Sequence, residues 1–265
     1  MLNLFRWLTS QNSSRKTKGL KLKQDAINLL DLQSGATLYF FPAKDQETQV
    51  RPAVLIVHGY GSSAYSTTYA LLRDKLSTAG FHTFSLSLRG HDFAVGTKET
   101  VSRADHEQDI REAIEQMQVN PLVDHEKISA VGASYGAYLL ANVLKEFAFQ
   151  NLVFRAPALY PDGDWNQPIS EIVDTSSIMT WRKLLHTTSE VQVLKSFADF
   201  KGHVLLVLSE LDEQMPPRVS DSYIKAFASS RLMRVELPEA KHALKGEERN
   251  EFATMATNFL LANFK

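Results

Sequence analysis

The sequence predicts an α/β domain, with a mostly parallel central sheet covered by helices on both faces. Three observations carry this. Continuous apolar runs recur, as at Ala53-Val54-Leu55-Ile56-Val57 and Val204-Leu205-Leu206-Val207-Leu208, and strands buried on both faces read this way. Segments of helical period separate these runs, as the crossovers of a parallel sheet require. The chain has 265 residues and 44% hydrophobic content, enough for one such domain with a sizeable core.

The elements follow in order. An N-terminal arm covers residues 1–19, and the domain runs over 20–265. Residues 20–32 and 36–42 read as two strands about the turn Gln33-Ser34-Gly35. Residues 53–57 are a strand, and Thr67 to Ala79 a helix stopped by Gly80. His82 to Ser87 is a strand and Ser102 to Met117 a helix. Lys127 to Val131 is a short β-branched strand, followed by a helix over Ala137 to Leu144. Strands are expected at 152–154, 203–208 and 232–237, and helices at Tyr223 to Ser229 and Glu247 to Phe264. Residues 157–200 are too long for an ordinary loop. They carry Trp165 and Trp181 with Ile172, Ile178, Met179, Leu184 and Leu185, and read as a small, mainly helical insertion.

Composition narrows the function. Charge is nearly balanced, 29 basic against 30 acidic residues, so no nucleic-acid partner is expected. The chain has no cysteine, which excludes disulfides, thiolate zinc sites and cysteine nucleophiles, and fits a reducing, cytoplasmic location. No apolar run approaches the ~20 residues of a membrane span. The apolar start Met1 to Leu8 is broken by Arg6, and Arg15, Lys16, Lys18, Lys21 and Lys23 follow. So short a basic segment binds membranes only marginally, and no stable membrane insertion is expected. No His-Glu-x-x-His or other metal spacing occurs, so neither metal nor cofactor is implied.

The chemistry points to Gly132-Ala133-Ser134-Tyr135-Gly136. It is a G-x-S-x-G sequence between a predicted strand and a predicted helix. A serine on so sharp a turn is forced out above the sheet, and the glycines relieve the clash of a backbone that doubles back. The next amide, that of Tyr135, then lies at a helix N-terminus, where it can stabilise an oxyanion. A serine nucleophile needs a base and an orienting carboxylate. The strand at 203–208 runs into Ser209-Glu210-Leu211-Asp212-Glu213, at the sheet edge where ligands bind. Asp212 is the chosen orienter; Glu210 and Glu213 compete, with Asp162 more remote. His242 lies between the last strand and the last helix, completing the order Ser, Asp, His. A second oxyanion donor is the amide of Tyr60, in His58-Gly59-Tyr60-Gly61.

From about residue 20 to the end, the chain resembles the α/β-hydrolase superfamily, nearest the lidded esterase, monoacylglycerol-lipase and serine-aminopeptidase-like branch. The resemblance rests on His58-Gly59-Tyr60-Gly61, Leu88-Arg89-Gly90-His91-Asp92, the Ser134 turn, Asp212 with Pro216, and His242. It implies the α/β-hydrolase fold with a lid at about 157–200. It also implies that His58, Arg89, Gly90 and His91 brace loops rather than act on substrate. Ser209 and Asp92 stand where glycine is common in that family.

The expected activity is hydrolysis of a small-molecule carboxylic ester through an acyl-enzyme, without cofactor. Ser134 is the nucleophile, His242 the base, Asp212 its orienter, and the Tyr60 and Tyr135 amides the oxyanion donors. Trp165 and Trp181 are expected to wall the substrate pocket. An aminopeptidase, amidase or thioesterase is the alternative on the same residues; an aminopeptidase would need Asp162, Asp164, Glu171 or Asp174 to hold the substrate ammonium. Gly59-Tyr60-Gly61-Ser62-Ser63-Ala64 also fits a dinucleotide fingerprint. No carboxylate ends the next strand to hold a ribose, which weighs against that reading. A non-catalytic binding member of the fold is a further rival.

Overall fold

A computed structural model describes residues 28–264, apart from Phe93, Asp174, Ala228 and Ser230. The N-terminal arm with its apolar and basic stretches, residues 20–27 of the first expected strand, and Asp174 lie outside the described residues.

Among the described residues, eight strands form one sheet in the order β1-β2-β4-β3-β5-β6-β7-β8. They are β1 (Asn28–Asp31), β2 (Thr37–Phe41), β3 (Arg51–Val57), β4 (His82–Ser87), β5 (Val123–Ala133), β6 (Asn151–Arg155), β7 (His203–Ser209) and β8 (Leu232–Leu237). The β1–β2 hairpin is antiparallel, as is β2 against β4, and every later pairing is parallel. The helices are α1 (Thr67–Thr78), α2 (Arg103–Val119), α3 (Tyr135–Val143), α4 (Ser176–Trp181), α5 (Gln192–Asp199), α6 (Pro217–Ala226) and α7 (Gly246–Asn263). This is the α/β-hydrolase arrangement. Among the described residues no helix is long and apolar enough to cross a membrane.

Alternation along the central strands divides the core in two. Leu55, Phe84, Ala130, Leu152 and Leu206 face one layer, with Ile110 and Ile114 of α2 and Leu139 and Leu140 of α3. Val54, Ile56, Val131, Val153, Leu205 and Val207 face the other, against Leu72 and Leu76 of α1 and Phe252, Ala256 and Leu260 of α7. Both sets are buried, which is why these strands are continuous apolar runs rather than alternating ones.

Local signals place the helix ends. Gly80, at φ 89°, stops α1. Ser102 caps α2: its hydroxyl accepts from the Asp105 amide at 3.2 Å, and the Asp105 carboxylate accepts from the Ser102 amide at 2.8 Å. The helix expected at 223–229 instead spans Pro217–Ala226. Pro217 takes its first turn, where a fixed φ and a missing N–H cost nothing. The segment 157–200 is helical only in part. It holds a 3₁₀ turn at Ile169–Glu171, α4 and α5. Pro157, Pro161 and Pro168, with Gly163 and Asp164 at φ 103° and 52°, break the rest. Helix α5 buries Val193, Leu194 and Phe197 in the main core, so this end of the segment belongs to the body of the domain.

The parallel strands all end at one sheet edge. There β3 leads into His58-Gly59-Tyr60, β5 into Ser134, β7 into Glu210 to Asp212, and β8 into Pro238 to His242. Residues far apart in sequence therefore meet at this edge.

Candidate active site

Ser134 directly follows β5, at φ 50° and ψ −116°. This is an unfavourable conformation for a residue with a Cβ, and the surroundings hold it there. Its N–H donates to the Arg155 carbonyl at 2.8 Å, and its carbonyl accepts from the Tyr138 and Ala158 amides at 3.2 and 3.0 Å. Both flanking glycines are steric necessities. A Cβ on Gly132 would lie 2.6 Å from the Ala137 Cα; one on Gly136 would strike the carbonyls of Val57 and His58.

His242 and Asp212 meet across thirty residues of chain. The His242 Nδ1 donates to the Asp212 carboxylate, at 2.9 Å to Oδ2 and 3.0 Å to Oδ1. Asp212 Oδ1 also accepts from the Gln214 and Met215 amides at 3.0 and 2.8 Å. Burial pushes the Asp212 carboxyl upward, but the His242 hydrogen bond and charge, with the two amides, outweigh it and hold the pKa below the usual value. The competing carboxylates serve the backbone instead. Glu210 accepts from the Glu239 amide at 2.8 Å, Glu213 from the His242 amide at 3.1 Å, and Asp162 from the Gln192 amide at 2.9 Å.

Ser134 and His242 line one open cavity of 340 Å³, together with Gly59, Tyr60 and Gly61. The loop after β3 presses on the Ser134 turn: a Cβ on Gly59 would lie 3.2 Å from the Ala133 carbonyl and 3.3 Å from the Ser134 Cβ. This brings Tyr60 beside Ser134. The Tyr135 amide is in the first turn of α3, where helix amides have no intrahelical acceptor. With His242 Nδ1 engaged by Asp212, Nε2 is the ring nitrogen left to face a serine.

The remaining histidines near the site are braces. His58 Nδ1 donates to the Gly59 carbonyl at 2.8 Å, and Nε2 accepts from the Leu88 amide at 3.3 Å. His91 Nδ1 and His106 Nε2 both donate to the Arg89 carbonyl, at 3.1 and 2.9 Å. His106 Nδ1 accepts from the Tyr135 hydroxyl at 3.0 Å. Arg89 itself bonds Asp109 at 2.7 Å and Asp105 at 3.2 Å. Burial pushes the pKa of both His91 and His106 down to about 4. His203 opens β7 and is half-buried.

Trp165 and Trp181 do not line this cavity. Trp165 stacks on Tyr138, ring centres 6.2 Å apart, under the guanidinium of buried Arg103 at 4.8 Å. Trp181 stacks on His186 at 3.6 Å. Trp165 thus packs on the body of the domain and Trp181 within the segment 157–200, and neither is among the residues lining this cavity, where they were expected. The walls come from Ser66, Thr68 and Tyr69 around α1, and from Leu244, Arg249 and Phe252 around α7.

Arg155 is the residue that sequence reasoning missed. Buried at the end of β6, it donates through Nη2 to Ser209 Oγ at 2.7 Å, the Lys241 carbonyl at 2.9 Å and the His242 carbonyl at 2.8 Å. Ser209 Oγ donates onward to the Lys241 carbonyl at 2.9 Å. The serine where glycine is common was the one signal in the sequence, and Arg155 is its partner.

The model for the family described as serine aminopeptidase, S33, a hydrolase family, matches residues 48–181. The chain belongs to this family. Its fold is that of the α/β-hydrolase superfamily, and similar proteins carry both esterase and peptidase names. The chain is 23% identical over 246 residues to the acylamino-acid-releasing enzyme of Rattus norvegicus, covering 85% of this chain and 33% of that protein. It is 27% identical over 187 residues to the medium-chain fatty acid ethyl ester synthase/esterase 2 of Saccharomyces cerevisiae, covering 70% and 40%. The chain thus spans less than half the length of either relative. In fold it is similar to Est1E from Butyrivibrio proteoclasticus with ferulic acid bound, at TM-score 0.68 and 16% identity over 89% of this chain and 98% of that one.

Proposed function

We propose that this serine hydrolase cleaves a small-molecule carboxylic ester through an acyl-enzyme, with Ser134, His242 and Asp212 as its triad. The observation that carries the reading is the His242–Asp212 pair at 2.9 Å on the cavity that also holds Ser134. Asp212 fixes the proton on Nδ1, so Nε2 is the basic nitrogen. It takes the Ser134 proton as Oγ attacks the ester carbonyl. The Tyr60 and Tyr135 amides receive the oxyanion. When the intermediate collapses, the alcohol departs with the proton from Nε2, leaving the acyl group on Oγ. Water then attacks, giving its proton to Nε2; the acid leaves, and the proton returns to Oγ.

Peptide-bond cleavage is the second reading, favoured by the family description and by the rat relative. The lining of the cavity weighs against an aminopeptidase, because no aspartate or glutamate is among its residues. Of the carboxylates expected to hold a substrate ammonium, Asp162, Asp164 and Glu171 lie elsewhere, and Asp174 is outside the described residues.

The test is a p-nitrophenyl ester series from acetate to palmitate, with an aminoacyl-nitroanilide as contrast and a fluorophosphonate probe. Ester turnover and probe labelling should both vanish in Ser134→Ala. A Ser134→Ala protein with wild-type turnover would refute the assignment, and anilide cleavage without ester cleavage would favour the peptidase.

A further inference from the structure

We infer that the cavity beside Ser134 binds an anionic substituent of the substrate, a carboxylate, and that Arg249 selects it. The inference rests on the reading of Ser134 as the nucleophile and adds the class of ester it attacks.

Four features of the wall agree in sign. First, the charged side chains lining the cavity, besides His242, are Arg155 and Arg249, with no carboxylate among them. Second, Arg249 uses only Nε, which donates to the Leu244 carbonyl at 2.9 Å. Its two terminal nitrogens have no acceptor among the described residues, and they are the fork that recognises a carboxylate. Third, Arg155 is 4% exposed, and its Nε is buried without a partner. Fourth, the cavity reaches the start of α1 through Ser66 and Thr68. Ser66 makes no capping bond there, and its Oγ is also buried without a partner. The first amides of a helix lack intrahelical acceptors and carry the positive end of its dipole.

The nearby carboxylates are already committed. Asp212 and Glu213 accept from the His242 ring and amide, and Glu248 accepts from the Lys245 amide at 2.8 Å. A half-buried guanidinium with idle terminal donors and an uncapped helix start therefore border a concave space that no carboxylate lines, and two unpartnered polar atoms lie buried in the residues of its wall. A substrate ammonium finds no acceptor carboxylate in the lining, whereas a carboxylate would satisfy donors that are otherwise unpaired.

Binding is tested first, on the Ser134→Ala protein, with monomethyl adipate against its neutral isostere dimethyl adipate by titration calorimetry. The monoester should bind about tenfold more tightly. The preference should vanish on adding Arg249→Gln and return in part with Arg249→Lys. Equal affinity for the two esters, or a ratio untouched by Arg249→Gln, overturns the inference. If Arg249→Gln does not fold, the ratio is measured from about 50 to 500 mM salt, where screening should shrink it and a flat ratio overturns the inference. Turnover comes second: wild-type kcat/KM should favour mono-4-nitrophenyl adipate over methyl 4-nitrophenyl adipate, and the reverse order counts against the inference. A protein that hydrolyses neither ester but keeps the binding preference counts against the carboxylic-ester reading and leaves the anion site standing.

Discussion

The Arg155 guanidinium donates to the His242 carbonyl at 2.8 Å, tying the loop of the histidine to the end of β6. The same residue accepts the Ser134 N–H on its own carbonyl at 2.8 Å. One side chain and its backbone therefore join the turn of the serine to the loop of the histidine. Among the described residues no carboxylate lies within 4.0 Å of this buried cation; its nearest acceptors are carbonyls and the Ser209 hydroxyl.

Arg155→Met should loosen His242 without altering any residue of the proposed triad. Misplacement of about 1 Å costs up to roughly a hundredfold in rate, so kcat should fall ten- to a hundredfold while KM changes less. Arg155→Lys should restore part of it. Stability should drop by roughly 3 kcal/mol, since buried carbonyls lose a charged donor. Steady-state kinetics well below the melting temperature separate the two effects; wild-type kcat in a folded Arg155→Met would remove the positioning role.

Asp212→Asn should cost about 10⁴ in kcat, because an amide favours the wrong imidazole tautomer. Glu210→Gln and Glu213→Gln should cost far less, since each carboxylate meets a backbone amide rather than the ring. A crippled Glu213→Gln with an active Asp212→Asn would reverse the assignment.

Acid should destabilise the fold before it protonates most carboxylates. His91 and His106 are held neutral, with pKa values near 4 in the folded protein, against about 6.5 when unfolded. Between those values the unfolded chain binds more protons, so stability falls as pH drops from about 6.5 toward 4. Denaturation midpoints measured across that interval should decrease steadily. His106→Gln, which removes one titrating group, should flatten the slope; an unchanged slope would show that these histidines do not govern it.

Trp165→Ala should lower stability by roughly 2 kcal/mol through its lost packing on Tyr138 and Arg103. Neither it nor Trp181→Ala should change the order of preference across the ester series, because neither ring lines the cavity. A shifted chain-length optimum would return residues 157–200 to the role of a substrate wall.

Gly136→Ala should prevent correct folding or cost roughly 3 kcal/mol, because the added methyl meets the backbone carbonyls of Val57 and His58 rather than a mobile side chain. Gly61→Ala meets no atom within 4 Å and faces only its φ of 72°, so it should cost less. Thermal denaturation of the two variants checks the order.

Much of the fold is legible in the sequence. The strands announced themselves because both their faces are buried, and the Ser134 turn because only glycine fits at 132 and 136. The start of α6 was misplaced because residues 217–222 lack the apolar period that the helix shows later, while Pro216-Pro217 carried the boundary. The place of the two tryptophans is not legible in the sequence, because a large apolar residue has the same composition signal whether it walls a pocket or packs a loop.

What the sequence determined by itself was the order of elements, the turn that exposes Ser134, and the short set of carboxylates and histidines able to serve it. These are local properties, written in periodicity, glycine placement and neighbouring residues. Tertiary structure alone decided which carboxylate meets His242, that Arg155 braces its loop, and that α1 and α7 rather than residues 157–200 wall the cavity. Each of those choices depends on where strands distant in sequence end beside one another, and on side-chain directions set by packing. A string of residue types does not encode those distances locally.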